Sequence, residues 1–246
     1  MKLALIALAA AVSVARALPV QADAPAVEDS GSYRIYRHDH AIGTESFTFD
    51  NRTDSLVITS HVLEIIPGAS GRDTLEKTMG LVVKAVDYDL LSYESHQSFR
   101  GQRIHRGLVM ADTLLTTYLQ VNEHGLGDRV VRPPGRMFVI DPQLFVLYDI
   151  ICRNLHGKSF AQRPLLFYTL GSPDTTVEAT ATDLGADSIR WAARPVRARK
   201  IRISDAEVEF FVWLSPQGRM LRLSQPEYGL RVERVPAPTK RAMKRR

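Results

Sequence analysis

The stretch Asp141-Pro142-Gln143-Leu144-Phe145-Val146-Leu147-Tyr148-Asp149-Ile150-Ile151-Cys152-Arg153-Asn154-Leu155-His156-Gly157 decides how the rest of the chain is read. Asp can cap free amides, Pro is tolerated at the first helical position and Gly stops a helix, so the pattern predicts a helix over 142–156. Leu144, Phe145, Tyr148, Ile151, Cys152 and Leu155 follow helical spacing, while Val146, Leu147 and Ile150 make most of the remaining surface apolar as well. Only a narrow polar stripe, with Asp149 and Arg153 one turn apart, is left for water. A helix this apolar needs cover on more than one side, and a strongly curved sheet supplies that better than a flat one.

Outward from the helix, the chain reads as strands. Before it lie Tyr33 to His38, Ile42 to Phe49, Leu56 to Ile66, Leu75 to Val86, Leu90 to Phe99, Ile104 to Met110 and Leu114 to Val121, parted by short turn-forming separators such as Asp50-Asn51-Arg52 and Gly101-Gln102. After it come Leu165 to Leu170, Thr175 to Thr182, Ser188 to Ala192, Val196 to Ile203, Val208 to Leu214, Met220 to Ser224 and Leu230 to Val235. Short connections make antiparallel neighbours, because a parallel crossover needs a dozen or more residues. Ser215-Pro216-Gln217-Gly218 is the clearest hairpin signal, with Pro set for a type I turn and Gly for the left-handed residue that follows. The expected fold is mainly β: a large curved antiparallel sheet, a half-barrel or open barrel, wrapped around one principal α-helix.

Charge excludes a nucleic-acid reading of the body. Lys2 and Arg16 near the start and Lys240, Arg241, Lys244, Arg245 and Arg246 at the end account for seven of the 32 basic residues. The remaining 25 face all 27 acids, so residues 23–236 carry a net charge of −2. At 45% hydrophobic residues, the chain has enough apolar material for a core. The start, Lys2 followed by an apolar run from Leu3 to Val14 and then Pro19-Val20-Gln21-Ala22, has the form of a signal peptide over 1–22. That run is short of the ~20 residues a membrane-spanning helix needs. We therefore expect an exported protein, periplasmic or extracellular, with a leader over 23–31, one domain over 32–236 and a basic tail over 237–246 able to touch anionic surfaces. Cys152 is the only cysteine, so no intramolecular disulfide can form, and its place in the helix reads as a buried small hydrophobe.

Chemistry-bearing motifs are sparse. No Gly-x-Ser-x-Gly, His-Glu-x-x-His or Gly-rich phosphate loop is present, and no cofactor is implied. In an extended strand His38 and His40 would share a face and could both ligate a metal, with Glu45 or Asp39 as base of a metal-assisted hydrolase. His96 and His105 would become diagonal neighbours across a hairpin turning at Gly101-Gln102, with His105 opposite Ser98. Asp174-Thr175-Thr176 lacks the Gly of an aspartic-protease triplet and reads as a strand entry. The basic run Arg194 to Arg202 precedes Asp205, Glu207 and Glu209, and cross-strand pairing accounts for it. Tyr33, Trp213 and Tyr228 read as core aromatics.

The passage Phe211-Val212-Trp213-Leu214-Ser215-Pro216-Gln217-Gly218-Arg219-Met220-Leu221-Arg222-Leu223, with Pro226 and Tyr228-Gly229-Leu230 after it, resembles the closing hairpin of uncharacterised secreted bacterial domains of unknown function. The Tyr33 to Thr44 segment is similar to their opening strands. The resemblance implies a large bent sheet around a helix, looking like the half-barrel of periplasmic lipoprotein carriers, and it brings no catalytic residues with it. Together these readings describe a non-enzymatic envelope protein. Leu144, Phe145, Leu147, Tyr148 and Ile151 are its candidates for lining a cavity that takes a hydrophobic or amphiphilic small molecule. Alternatives are the hydrolase built on His38 and His40, and a scaffold that binds an envelope protein through an exposed sheet edge.

Overall fold

The structure, a computed structural model, describes residues 26–68 and 71–236. The expected signal peptide and basic tail lie outside the described residues. Strands β1 (Ala26–Arg37), β2 (His40–Asn51), β3 (Ser55–Gly68), β4 (Gly71–Lys84), β5 (Leu90–Phe99), β6 (Gln102–Met110), β7 (Leu114–Val121) and β8 (His124–Val131) form an antiparallel meander. β9 (Met137–Ile140), the helix α1 (Val146–Leu155) and β10 (Gln162–Thr169) follow. A second meander, β11 (Thr175–Trp191), β12 (Arg194–Ser204), β13 (Glu209–Leu214), β14 (Met220–Gln225) and β15 (Leu230–Arg234), returns to pair with β1. One open 15-stranded sheet results, ordered 8-7-6-5-4-3-2-1-15-14-13-12-11-10-9. β9 and β10 run parallel, and α1 is the crossover that such a pair requires.

Alternation builds the sheet. In β3 Leu56, Ile58 and Val62 face in, and in β4 Leu75, Met79, Leu81 and Val83 do the same. The hairpin at Ser215 to Gly218 closes as read, with Gly218 at φ +78° and its amide donating to Ser215 O at 2.9 Å. Gly43 is required by close approach, because a Cβ there would meet Leu63 O at 2.5 Å across the β2–β3 pair. Four departures concern boundaries. β1 begins at Ala26, inside the expected leader, because residues 26–32 pair with β2. Thr175 to Thr182 and Ser188 to Ala192 are one strand, β11, continuous through a bulge between Asp183 and Ala186. β8 and β9 went unread, the first because its face pattern is exposed nearly throughout, the second because four buried residues show no alternation. The helix starts at Val146 rather than 142, because Asp141 is held elsewhere.

The sheet is rolled. β5 stands fourth and β9 fifteenth in the strand order, which at ~4.8 Å per strand would part them by roughly 50 Å if the sheet were flat. They touch. Arg106 on β6 reaches across the same seam to Asp174 Oδ1 and Gly171 O, both at 2.7 Å. The helix lies inside the roll, with Val146, Leu147, Ile150, Ile151, Cys152 and Leu155 all buried.

Charged side chains from both halves of the sheet fix the helix. Its first amides find no local side-chain cap. They donate instead to Glu45 of β2, from Phe145 N at 2.8 Å and Val146 N at 3.2 Å, and Ser60 Oγ donates to the same carboxylate at 2.6 Å. At the other end Arg199 of β12 donates to Leu155 O at 3.3 Å and Lys158 O at 2.9 Å. A carboxyl group at the N-terminus, when ionised, and a cation at the C-terminus both complement the helix dipole. Burial pushes the Glu45 carboxyl up from 4.5 to about 7, against the opposing pull of Ser60 and the two amides.

Asp149 and Arg153, expected to face water, are buried. Asp149 accepts from Tyr33 OH at 3.0 Å, Met220 N at 2.7 Å and Arg234 at 3.2 Å, and Asp29 pairs with Arg153 and Arg234. Two buried acids face two buried guanidiniums, with the half-exposed Arg219 also 3.4 Å from Asp29, and that pairing makes their burial tolerable. Asp141, expected as the helix cap, instead pairs with buried Lys77 of β4 and accepts from Tyr93 OH and Ser95 Oγ of β5. This buried pair clasps the β9–α1 connection to the opposite wall.

Candidate functional site

The helix residues expected to line a cavity are packed. Leu144, Phe145, Leu147 and Ile151 are buried in the main core, and Tyr148 is half-buried against Phe145 and Phe210. A void of about 10 Å³ touches Leu147 and Ile150, the lower limit for one water.

Open space lies beside the C-terminal end of the helix instead. A groove of about 730 Å³ is bounded by Pro134, Gly135 and Arg136 before β9, Phe138 in β9, Asn154 in α1, Arg163 to Leu166 in β10 and Glu178 to Thr180 in β11. The local sequence explains it. The chain turns at Pro134-Gly135, with Gly135 at φ +98°, and the parallel β9–β10 pair is only four residues long. The wall between that turn and the long β10–β11 ladder is therefore left without a further strand. Phe138, Pro164, Leu165 and Leu166 give the groove apolar surface.

Cations gather at its rim. Arg136 and Arg163 stand on the lining, and partial desolvation, then the Arg163 and Arg136 guanidiniums, hold the Lys158 ammonium below its ordinary range. Arg136 is balanced by Asp87 at 3.2 Å, outside the lining, and Glu178 is the acid on the lining itself. Asn154 is fixed by donating to Asp87 O at 2.9 Å and accepting from Lys158 at 3.4 Å. The arrangement can hold a molecule with an apolar body and an anionic end.

His38 and Asp39 are the two turn residues of the β1–β2 hairpin, at φ 46° and 64°, so the extended geometry that would set His38 and His40 on one face is absent. Asp39 is an exposed partner of Arg231 at 3.1 Å, and Glu45 is the buried helix cap. Asp174 serves the clasp to Arg106, and of the basic run Arg202 meets Glu209 at 3.7 Å while Arg199 turns to Asp183 and the helix end. Cys152 is buried, and burial pushes its thiol up. Tyr33 is in the core, Trp213 is buried in a satellite cluster with Ile189, Ala198 and Leu221, and Tyr228 is exposed rather than buried.

His96 and His105 are direct rather than diagonal partners. The turn is Arg100-Gly101, at φ 50° and 77°, two residues tight, which sets His105 opposite His96 and Arg103 opposite Ser98. With Glu94 they form the one group of three or more His, Cys, Asp or Glu side chains with metal-ligand spacing among the described residues. The groove was missed in the sequence because it is a gap between segments distant along the chain. Its only local signal is the Pro133-Pro134-Gly135-Arg136 turn.

No protein-family model and no curated protein matches the chain. A crystal structure of a DUF1089 family protein from Pseudomonas aeruginosa is similar to it over 75% of this chain and 90% of that one, at 12% identity and a TM-score of 0.45.

Proposed function

We propose that the chain is an exported, non-enzymatic envelope protein that binds an amphiphile with an anionic head, apolar part against Phe138, Leu165 and Leu166 and head toward Arg163 and Lys158. One observation carries the reading: a groove of about 730 Å³ with apolar walls and the guanidiniums of Arg136 and Arg163 on its lining lies beside a filled interior. Its size is within the usual range for small-molecule sites. The signal-peptide form of residues 1–22 supports the exported location. The likeness to the half-barrel of periplasmic lipoprotein carriers belongs to the same proposal, with the site displaced from the helix core to the groove.

A fluorescent long-chain fatty acid, titrated beside its alcohol analogue, tests this. Saturable binding of the acid is expected, with the alcohol and the Arg163→Glu variant each at least tenfold weaker, the effect of about 1.4 kcal/mol or more from one charge-assisted contact. No saturable uptake, or equal affinity in Arg163→Glu, overturns the reading. Native mass spectrometry of the protein taken gently from its own envelope would then name the cargo.

A further inference from the structure

The outer face of the sheet carries a polar row that the groove does not use. Register places His61, Thr78, His96, His105 and Gln120 side by side across β3 to β7. Three of the seven histidines of the chain lie in this one row. His61 Nε2 donates to Glu76 Oε1 at 2.9 Å. The other two act together: their rings stack at 4.2 Å with planes 17° apart, and both Nε2 atoms converge on Oε1 of Glu94, at 3.2 Å from His96 and 2.8 Å from His105.

We propose that Glu94, His96 and His105 form a binding site for a divalent transition metal, with Zn²⁺ as the best match. Zn²⁺ bound at about 2.0–2.1 Å by nitrogen and oxygen needs donor atoms about 3.3 Å apart at the corners of a tetrahedron. The two Nε2-to-Oε1 separations are already close to that edge, and all three donor atoms lie within 4.8 Å of one another. The sequence explains the convergence. Glu94 and His96 are two apart on β5 and so share a face, and the residue opposite Glu94 is Gly107. With no side chain there, the carboxylate can lean across the pair to reach His105. Two imidazoles and a carboxylate suit zinc, copper or nickel better than the hard ions calcium and magnesium, which take oxygen.

Neighbours support one imidazole. Tyr118 packs edge-on against His105 with centroids 5.2 Å apart, and its hydroxyl donates to Gln120 at 2.6 Å. Both histidines also line an open cleft of about 500 Å³, with Glu76, Thr78, Gln97, Arg103 and Asn122 around it. Three protein ligands beside open space leave the fourth coordination position for water or an exchangeable small ligand. The metal needs neutral imidazoles, so protons compete with it for the same nitrogens and binding weakens as pH falls.

Isothermal titration of the tag-free, metal-stripped protein with ZnCl₂ tests this, beside Co²⁺ absorption as a report of tetrahedral geometry. One equivalent is expected to bind, at least tenfold weaker at pH 5.5 than at pH 7.5. His96→Ala and His105→Ala should each lose it, His61→Ala and a His38→Ala, His40→Ala double variant should keep it, and thermal melts should show all variants folded. The inference is overturned if no stoichiometric Zn²⁺ binds, or if binding survives His105→Ala. Loss confined to the His38, His40 variant would also overturn it and move the metal to the β1–β2 turn.

Discussion

Replacing Glu45 by Gln isolates the energetic role of one buried carboxylate. In the folded protein its pKa stands at about 7, against an ordinary 4.5 in the unfolded chain, because burial disfavours the anion. A raised carboxyl binds its proton more tightly in the folded state. Its contribution is therefore fully present below about 4.5 and is lost as pH rises through about 7. At roughly 1.4 kcal/mol per pH unit, the loss between pH 5 and pH 8 is on the order of 2–3 kcal/mol. Gln keeps the size of the side chain and an oxygen for Phe145 N and Val146 N, but it does not titrate. Urea unfolding at pH 5 and pH 8 should thus show the native protein losing on the order of 2–3 kcal/mol more than Glu45→Gln, other titrating groups cancelling in the comparison. Glu45→Ala should cost about 3–5 kcal/mol at pH 5, since Ser60 Oγ and two helix amides lose their acceptor in a dry site. Parallel stability-against-pH curves for the native and Gln proteins would refute the reasoning and mean that the carboxylate is solvated.

Two further perturbations address the clasp and a turn. Lys77→Met leaves Asp141 buried without its cation and should destabilise the fold by about 3–5 kcal/mol. A loss under about 1 kcal/mol in urea would show that water reaches the pair. Ala192 and Ala193 hold left-handed φ values of 52° and 61° in the two-residue β11–β12 turn, a conformation that favours Asn-Gly. The Ala192→Asn, Ala193→Gly double variant should raise stability by about 1 kcal/mol or more, read as an increase in melting temperature. An unchanged or lower value would argue that this turn is relaxed.

Much of the fold was legible because its signals are local. Most strands from Tyr33 to Val121 and from Leu165 to Val235 announce themselves by alternation and turn residues, and the apolar circumference of the helix already asks for a sheet that curves around it. The strands that went unread fail for physical reasons: β8 has almost nothing to bury, and β9 buries every residue. Polar side chains at inward positions were harder still. Nothing in the local pattern around Glu45, Lys77 or Asp149 reveals that each meets its partners from 15 to more than 100 residues away.

The candidate sites divide along the same line. His96 and His105 could be paired from the sequence because a hairpin links them, and a turn of Arg100-Gly101 rather than Gly101-Gln102 corrected the register by two residues. Glu94 joins them through the side-chain period of a strand and the bare Gly107 opposite. The groove had no such local handle, since β9, α1, β10 and β11 frame it only once the crossover is formed. Sequence by itself determined which residues prefer the inside and which segments pair with their neighbours, because those preferences act over a few residues. Tertiary structure alone decided that the space around the helix is filled and that open space falls beside the helix end, between the turn before β9 and the β10–β11 ladder. Both depend on how far a 15-stranded sheet rolls before β5 meets β9, a sum of small twists and buried ion pairs that no single segment encodes.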